Sequence, residues 1–280
     1  MKGIILAAGY GSRFLPATKT VPKELLPLGT RPAVDYVVQE FLGAGIREIL
    51  VITSRRKRAL EDYFDREIEL EHTLNRPERQ AAIRPVDAGI YFRRQQTMDG
   101  TGAAVLLARE FVGDDSCVLA YPDDLHFGEV PLARQLVEVH TRTGDAVLAL
   151  ETRPEQEDIS RYGVAATDGA ASDPKVRGVV EKPPTGTEPS RHIVVGRYLL
   201  TTEVLRALER GYALHTTGEF PLTEALNEVA GAGGMSGCVF TGERLDTGEP
   251  DGYYRAVVRH WLQDARHGPS FREYLHSLLE

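Results

Sequence analysis

The most chemically informative part of this sequence is a glycine-bent loop that carries three cations. It begins with Gly9 and Gly11 and continues through Arg13, Lys19 and Lys23. The two glycines let the backbone turn sharply and bring its N–H groups close to an anion. An arginine can hold two phosphate oxygens at once, and lysines supply mobile point charges. The loop therefore predicts a binding site for a polyphosphate.

Two better-known glycine motifs do not fit this loop. The dinucleotide-binding fingerprint needs a third glycine at the position that Phe14 occupies. The P-loop needs four residues between its glycines and then Gly-Lys-Ser/Thr, and the sequence lacks that pattern here. The sequence therefore disfavours a nicotinamide site and a P-loop.

Two acidic turns are candidates for holding a metal ion. Asp123 lies in the motif Tyr-Pro-Asp-Asp at residues 121–124, directly after an apolar run, so its carboxylate is expected at the carboxyl end of a strand. Asp246 precedes a glycine turn at Gly248. Carboxylate oxygens at such a place suit Mg²⁺ that is shared with substrate phosphates. Turns of both kinds also occur without any metal, so these motifs alone leave a structural role open.

The segment 15–28, Leu-Pro-Ala-Thr-Lys-Thr-Val-Pro-Lys-Glu-Leu-Leu-Pro-Leu, together with Leu-Ala-Ala-Gly at residues 6–9, resembles the sugar-1-phosphate nucleotidylyltransferases. It is most similar to the bacterial branch that uses UTP and glucose 1-phosphate. The resemblance covers nearly the whole chain and is strongest at residues 3–65. It implies direct attack of the sugar phosphate on the α-phosphorus of UTP, with Mg²⁺ and without a covalent intermediate. A phosphate monoester is largely ionised at neutral pH, so no general base is required.

The resemblance also implies roles for individual residues. Catalysis is expected from three cations, Arg13, Lys23 and Lys182, and metal coordination from Asp123 and Asp246. Nucleotide binding is expected from Ala7, Ala8, Gly9, Gly11, Gly102 and a glutamine, either Gln95 or Gln96. Sugar binding is expected from Gly163, Glu181 and Gly196.

Two alternatives stay open at this point. Residues 96–102 depart from the uridylyltransferase pattern, and residues 245–248 also resemble the thymidylyl branch, so another base or sugar is an alternative. A non-catalytic homologue that binds a nucleotide sugar and regulates a partner is the second. Such a homologue would be expected to lose part of the set of cations and carboxylates, which is complete here.

The elements that must position these residues alternate between strands and helices. Apolar runs lie at 2–8, 49–52, 117–120 and 147–150, and helical patterns at 32–43, 57–64, 102–111 and 131–143. After residue 150 the strands are shorter, at 163–165, 178–180 and 192–200, with helices near 202–210, 220–229 and 253–262. We predict an α/β fold with a Rossmann-like, mostly parallel mixed sheet flanked by helices. One domain over 1–280 would combine a nucleotide-binding half (about 1–150) with a sugar-binding half (about 151–280) on one shared sheet.

Composition argues against several other classes of protein. A net charge of −8 over 280 residues disfavours a nucleic-acid partner. Two cysteines without metal-ligand spacing indicate neither a disulfide framework nor a zinc site. No apolar run approaches the length needed to span a bilayer, so we expect no membrane partner and a cytoplasmic protein.

The charged stretch at residues 65–94 lies outside the alternation of strands and helices. Leu70 and Leu74 follow Glu67 and Glu71 at helical spacing within it. We predict a surface flap whose apolar stripe pairs with a second subunit, which would make the protein a homo-oligomer.

Overall fold

One nine-stranded mixed sheet organises the protein in the computed structural model, which describes residues 1–169 and 172–279. The strands, in chain order, are β1 (Lys2–Leu6), β2 (Pro27–Leu28), β3 (Arg31–Pro32), β4 (Glu48–Thr53), β5 (Gly89–Arg94), β6 (Cys117–Ala120), β7 (Asp124–Phe127), β8 (Ala146–Thr152), β9 (Gly163–Asp168), β10 (Lys175–Glu181), β11 (His192–Leu200), β12 (Met235–Val239) and β13 (Glu243–Asp246). The order in the large sheet is β5-β4-β1-β6-β11-β8-β12-β10-β9. Two small ribbons, β2 with β3 and β7 with β13, lie outside it.

Helices cover both faces of this sheet. They are α1 (Ala33–Gly43), α2 (Arg58–Phe64), α3 (Ile68–Thr73), α4 (Pro77–Ala82), α5 (Thr101–Leu106), α6 (Arg109–Val112), α7 (Leu132–Thr143), α8 (Thr202–Leu214), α9 (Leu222–Gly231), α10 (Pro250–Gln263) and α11 (Gly268–Ser277). Residues of α5, α8 and α9 pack on one face, and residues of α1, α7 and α10 on the other. Because both faces are covered, the inner strands are apolar without alternation, as the sequence indicates.

The sheet changes character between its two halves. Strands β5, β4, β1 and β6 are all parallel neighbours. Strand β11 then runs antiparallel to β6 and to β8, and β10 runs antiparallel to β12 and β9. The predicted α/β fold with a mixed sheet is confirmed, and strands from both halves of the chain share it. Strand β8 lies between β11 and β12, so the two halves interleave in space.

Several predicted elements need correction. The helix expected over residues 102–111 is two short helices, α5 and α6. Residues 89–94, assigned above to a charged excursion, form edge strand β5, in which partly buried Ile90 and Phe92 alternate with exposed residues. Strands β12 and β13 were missed. The sequence of β12, Met-Ser-Gly-Cys-Val, is poor in strand-forming residues, and burial between β8 and β10 forms it instead.

No helix in the part of the chain that the structure describes is long and apolar enough to cross a membrane.

Candidate active site

The topology brings the predicted loop and the predicted acidic turn together. Strands β1 and β6 are parallel neighbours, with Ile5 paired to Ala120, so the segments that follow them leave the sheet at the same edge. The small ribbon adds the third segment, because Asp246 of β13 pairs with Asp124 of β7. A cleft of about 750 Å³ opens here. Four residues predicted from the sequence line it, namely Arg13, Asp123, Lys182 and Asp246.

Lys23 and Asp123 form an ion pair across this edge. Lys23 Nζ lies 2.5 Å from Oδ2 of Asp123, and both side chains are mostly buried. Burial opposes the charge on each group and is the largest single influence, but the attraction between the two groups, their hydrogen bond and neighbouring charges together outweigh it. The pKa of Lys23 is consequently raised, and the pKa of Asp123 is lowered. Both side chains are therefore held in their charged forms before any substrate binds.

The carboxylates of Asp123 and Asp246 face the same small space. A Cβ atom on Gly248 would lie 2.9 Å from Oδ2 of Asp123 and 3.2 Å from Oδ1 of Asp246. The backbone N–H of Gly248 donates to that oxygen of Asp246 over 3.0 Å. Among the described residues no group of three or more His, Cys, Asp or Glu could hold a metal ion by itself. Two carboxylates are nevertheless a suitable donor set for a hard cation that completes its coordination with substrate oxygens.

An arginine whose side chain is largely covered fixes the orientation of Asp246. The guanidinium of Arg244 binds both oxygens of Asp124, at 2.7 and 3.1 Å, and Oδ2 of Asp246 at 3.2 Å. The sequence did not reveal Arg244. Its main partner, Asp124, is distant in the chain, and Asp246 lies only two residues along the same strand.

Gly196 lies directly beneath the acidic turn. Its N–H donates to Asp124 over 2.8 Å, and its carbonyl accepts from the N–H of Tyr121 over 2.9 Å. A Cβ atom there would lie 2.9 Å from Cβ of Asp124. Close packing under the turn is enough to explain this glycine, and its predicted contact with the sugar stays a prediction.

The glycine loop is bent at Gly11 and exposed at Gly9, and its binding of a polyphosphate stays a prediction. Gly11 has φ +68, a left-handed conformation that favours glycine, and Gly9 is exposed. Ala7 and Ala8 are buried, so they can offer only backbone atoms to a ligand. Arg13 is 66% exposed and lies 3.4 Å from Glu249 across the cleft.

A second ion pair under this loop was not predicted. Both oxygens of Glu24 lie within 2.8 Å of Nζ of Lys57, and both residues are buried. Burial raises the pKa of Glu24 and lowers the pKa of Lys57, while the attraction between the two groups opposes both shifts. Glu24 adjoins Lys23, so the pair ties the short turn at Lys23–Leu25 to the start of α2. The only signal in the sequence is a charged residue directly before the apolar segment 25–28.

The two glutamines proposed to read a base occupy different environments. Gln95 is buried, whereas Gln96 is exposed. Gly102 is the second residue of the nearby helix α5, and a Cβ atom on it would lie 2.8 Å from the ring of Phe220. That contact gives Gly102 a packing role, in addition to any contact with a nucleotide.

Two of the three expected sugar-binding residues, Gly163 and Glu181, meet on β9 and β10. Gly163 pairs directly with Glu181, and a Cβ atom on Gly163 would lie 3.0 Å from Oε2 of Glu181. Lys182 follows with φ +48, and its N–H donates to the carbonyl of Tyr162 over 3.0 Å. A left-handed lysine is energetically unfavourable, and strain of this kind is often found at functional sites.

Known proteins resemble this chain over its whole length. A family model described as nucleotidyl transferase matches residues 2–260. A UTP–glucose-1-phosphate uridylyltransferase of Staphylococcus epidermidis is 35% identical over 99% of this chain and 98% of its own. The protein of that name from Bacillus subtilis is 36% identical over 94% of this chain and 91% of its own. The solved structure of UTP-bound UGPase from Acinetobacter baumannii matches with a TM-score of 0.89 and 30% identity, and 99% of each chain is covered.

Proposed function

The chain belongs to the nucleotidyl transferase family, and we propose that it transfers the uridylyl group of UTP to glucose 1-phosphate, giving UDP-glucose and pyrophosphate. The observation that carries this proposal is the preformed Lys23–Asp123 ion pair, which lies beside Asp246 at the edge where β1 and β6 end. The names of the relatives from Staphylococcus epidermidis and Bacillus subtilis support the choice of UTP and glucose 1-phosphate.

The chain's own residues perform alignment and neutralise charge. A phosphate oxygen of the sugar attacks the α-phosphorus, and the bond from that phosphorus to the bridging oxygen of pyrophosphate breaks. Arg13 and Lys23 bind the triphosphate and stabilise the negative charge that moves onto the leaving group. Lys182 binds the phosphate of the sugar, and Glu181 accepts hydrogen bonds from sugar hydroxyls. The nucleophile is already ionised, which agrees with a site built from cations and carboxylates.

Asp123 and Asp246 would hold Mg²⁺, since their carboxylates face one small space and suit a hard cation. When bound, the metal supplies positive charge to the phosphates. Asp123 also orients Lys23, so one carboxylate serves both the metal site and the triphosphate site.

The direct test is an assay of pyrophosphate release over a matrix of substrates. UTP, dTTP, ATP and GTP would each be combined with glucose 1-phosphate and with galactose 1-phosphate. We expect UTP with glucose 1-phosphate to give the highest specificity constant, at least about tenfold above the other bases, because each unpaired polar group in a base pocket costs about 1–3 kcal/mol. A better reaction with dTTP would favour thymidylyl transfer, which residues 245–248 resemble. No pyrophosphate release with any pair would favour the regulatory alternative.

We also propose that the protein is a homo-oligomer. Ile68 and Leu70 of α3 are 57% and 41% exposed, which agrees with an apolar contact surface on the predicted flap. Light scattering at micromolar concentration gives the mass of the particle. A monomeric mass would reject the proposal.

A further inference from the structure

The side-chain amide of Gln95 is held by two acceptors. Its Nε2 lies 3.0 Å from Oδ1 of Asp99 and 3.3 Å from the carbonyl oxygen of Gly100. A carboxylate and a carbonyl can only accept hydrogen bonds, so the atom that faces them must be the amide nitrogen. The two acceptors therefore establish the orientation of the amide group, with Nε2 toward Asp99 and Gly100. No donor in the described part of the chain contacts the other end, Oε1 of Gln95.

Asp99 is itself held in place from two sides. The hydroxyl of Tyr212, on α8, donates to Oδ2 of Asp99 over 2.9 Å, and the N–H of Phe220 donates to the carbonyl of Asp99 over 2.7 Å. Gly100, with φ +106, packs so closely that a Cβ atom there would lie 2.4 Å from the carbonyl oxygen of Phe220. The segment that holds Gln95 therefore has little freedom to shift.

Gln95 lies at the carboxyl edge of the sheet, where ligands bind in folds of this kind. The N–H of Gln95 donates to the carbonyl of Thr53, and the N–H of Ala7 donates to the carbonyl of Ile52. Gln95 therefore follows β5 at the same carboxyl edge at which the glycine loop follows β1, and α5 begins a few residues later. Open parallel sheets bind nucleotides at this edge.

We propose that Asp99 and Tyr212 are positioning residues that make Gln95 present only an acceptor to the base, so that the site selects uracil over cytosine. The ring nitrogen N3 of uracil carries a hydrogen and donates, whereas N3 of cytosine accepts. An oxygen held opposite N3 therefore accepts a hydrogen bond from uracil and repels the N3 lone pair of cytosine. Thymine carries the same N–H, so these residues do not separate UTP from dTTP. The proposal rests on the proposed function, because it assumes that the nucleotide binds at this edge.

The test compares UTP and CTP in Asp99→Ala, Asp99→Asn, Tyr212→Phe and the wild type. In Asp99→Ala the amide loses its strongest acceptor and can turn, so we expect the UTP:CTP ratio of specificity constants to fall about tenfold. Asp99→Asn keeps an acceptor oxygen and should retain a ratio within about threefold of wild type. The UTP:CTP ratio of Tyr212→Phe should lie between the ratios of Asp99→Ala and Asp99→Asn. Tyr254→Phe, which alters an exposed tyrosine of α10, is the matched control and should leave the ratio unchanged.

Two results would overturn the inference. One is a folded Asp99→Ala protein with the wild-type ratio, and the other is an equal loss with UTP and CTP, which would indicate a purely structural role. Calorimetric titration of UTP and CTP onto each variant gives the same ratio without turnover. It therefore tests the orientation of Gln95 even if the wild type transfers no nucleotide, a result that would reject the proposed function alone. If Asp99→Ala does not fold, Tyr212→Phe decides by the same criterion.

Discussion

The two sides of the cleft hold their cations in different ways. We propose that one side binds the triphosphate (the triphosphate side) and that the other binds the sugar phosphate (the sugar side). On the triphosphate side, Lys23 is paired with Asp123 and Arg13 with Glu249. On the sugar side, Lys182 is exposed, and within residues 1–169 and 172–279 it forms no ion pair. Its position is set by the backbone instead, through a left-handed conformation and a hydrogen bond to Tyr162.

This difference indicates two ways to prepare a site for a phosphate. A cation paired with a carboxylate is oriented before the substrate arrives, but the substrate must compete with that carboxylate. An unpaired cation on a strained backbone is free to bind at once, and the cost is about 1–2 kcal/mol of conformational energy in the folded protein. Substitutions at four positions, in order of decreasing expected effect, test this comparison and the buried ion pair next to Lys23.

Asp123→Ala should have the largest effect, because it removes the proposed metal ligand and the partner of Lys23 together. We expect turnover to fall by about 10³-fold or more in a folded protein. Asp251→Ala is the matched control, since Asp251 lines the same cleft but, among the described residues, forms an ion pair only with Arg255 on its own helix. Steady-state rates over a range of Mg²⁺ concentrations give the comparison. Normal Mg²⁺-dependent turnover in the Asp123 variant would refute its assignment.

Lys57→Met should have the next largest effect, which is a loss of stability. It leaves the carboxylate of Glu24 buried and unpaired, which typically costs about 3–5 kcal/mol. Urea unfolding measures the loss. The double variant Glu24→Leu with Lys57→Met should recover most of the stability, because apolar residues can replace a buried pair. Arg47→Met breaks the exposed pair with Asp87 and should cost less than about 1 kcal/mol. If Lys57→Met lowers the free energy of unfolding no more than Arg47→Met does, the buried pair is dispensable for stability.

Arg13→Lys keeps the charge but removes the planar group. We expect turnover to fall about 10²-fold, because a point charge cannot make two parallel hydrogen bonds to phosphate oxygens. Arg255 also lines the cleft, so Arg255→Lys is the control and should stay within about twofold of wild type. If Arg13→Lys behaves like the control, Arg13 is a solvated loop residue.

Lys182→Ala and Lys182→Gly should have the smallest effect, confined to the sugar side. Both should raise the Michaelis constant for glucose 1-phosphate about tenfold and leave that for UTP nearly unchanged, because only the sugar phosphate loses a cation. Lys182→Gly should be about 1 kcal/mol more stable than Lys182→Ala, since glycine accepts φ +48 without strain. The two Michaelis constants and urea unfolding provide the measurements. A defect seen only with UTP would move Lys182 to the triphosphate side.

Much of the fold could be predicted from the sequence because its signals are local. The buried runs of β1, β4 and β6 and the periodic helices α1 and α7 determine an α/β sheet. The glycines and cations of residues 9–23 likewise indicate a phosphate site, since one short segment contains all of them. Strand β12 could not be found in this way, because it lacks strand-forming residues and depends on its neighbours in the sheet.

Only the tertiary structure decided which charges meet. Lys23 contacts Asp123 and Lys57 contacts Glu24, each across a large separation in sequence, because parallel strands bring their carboxyl ends to one edge. The orientation of Gln95 is set by Asp99 nearby and by Tyr212 from a distant helix. Residue types thus determined what chemistry the chain can perform. Contacts between distant segments determined which side chains are ionised, held or free, because those properties depend on burial and on neighbours that a linear sequence does not specify.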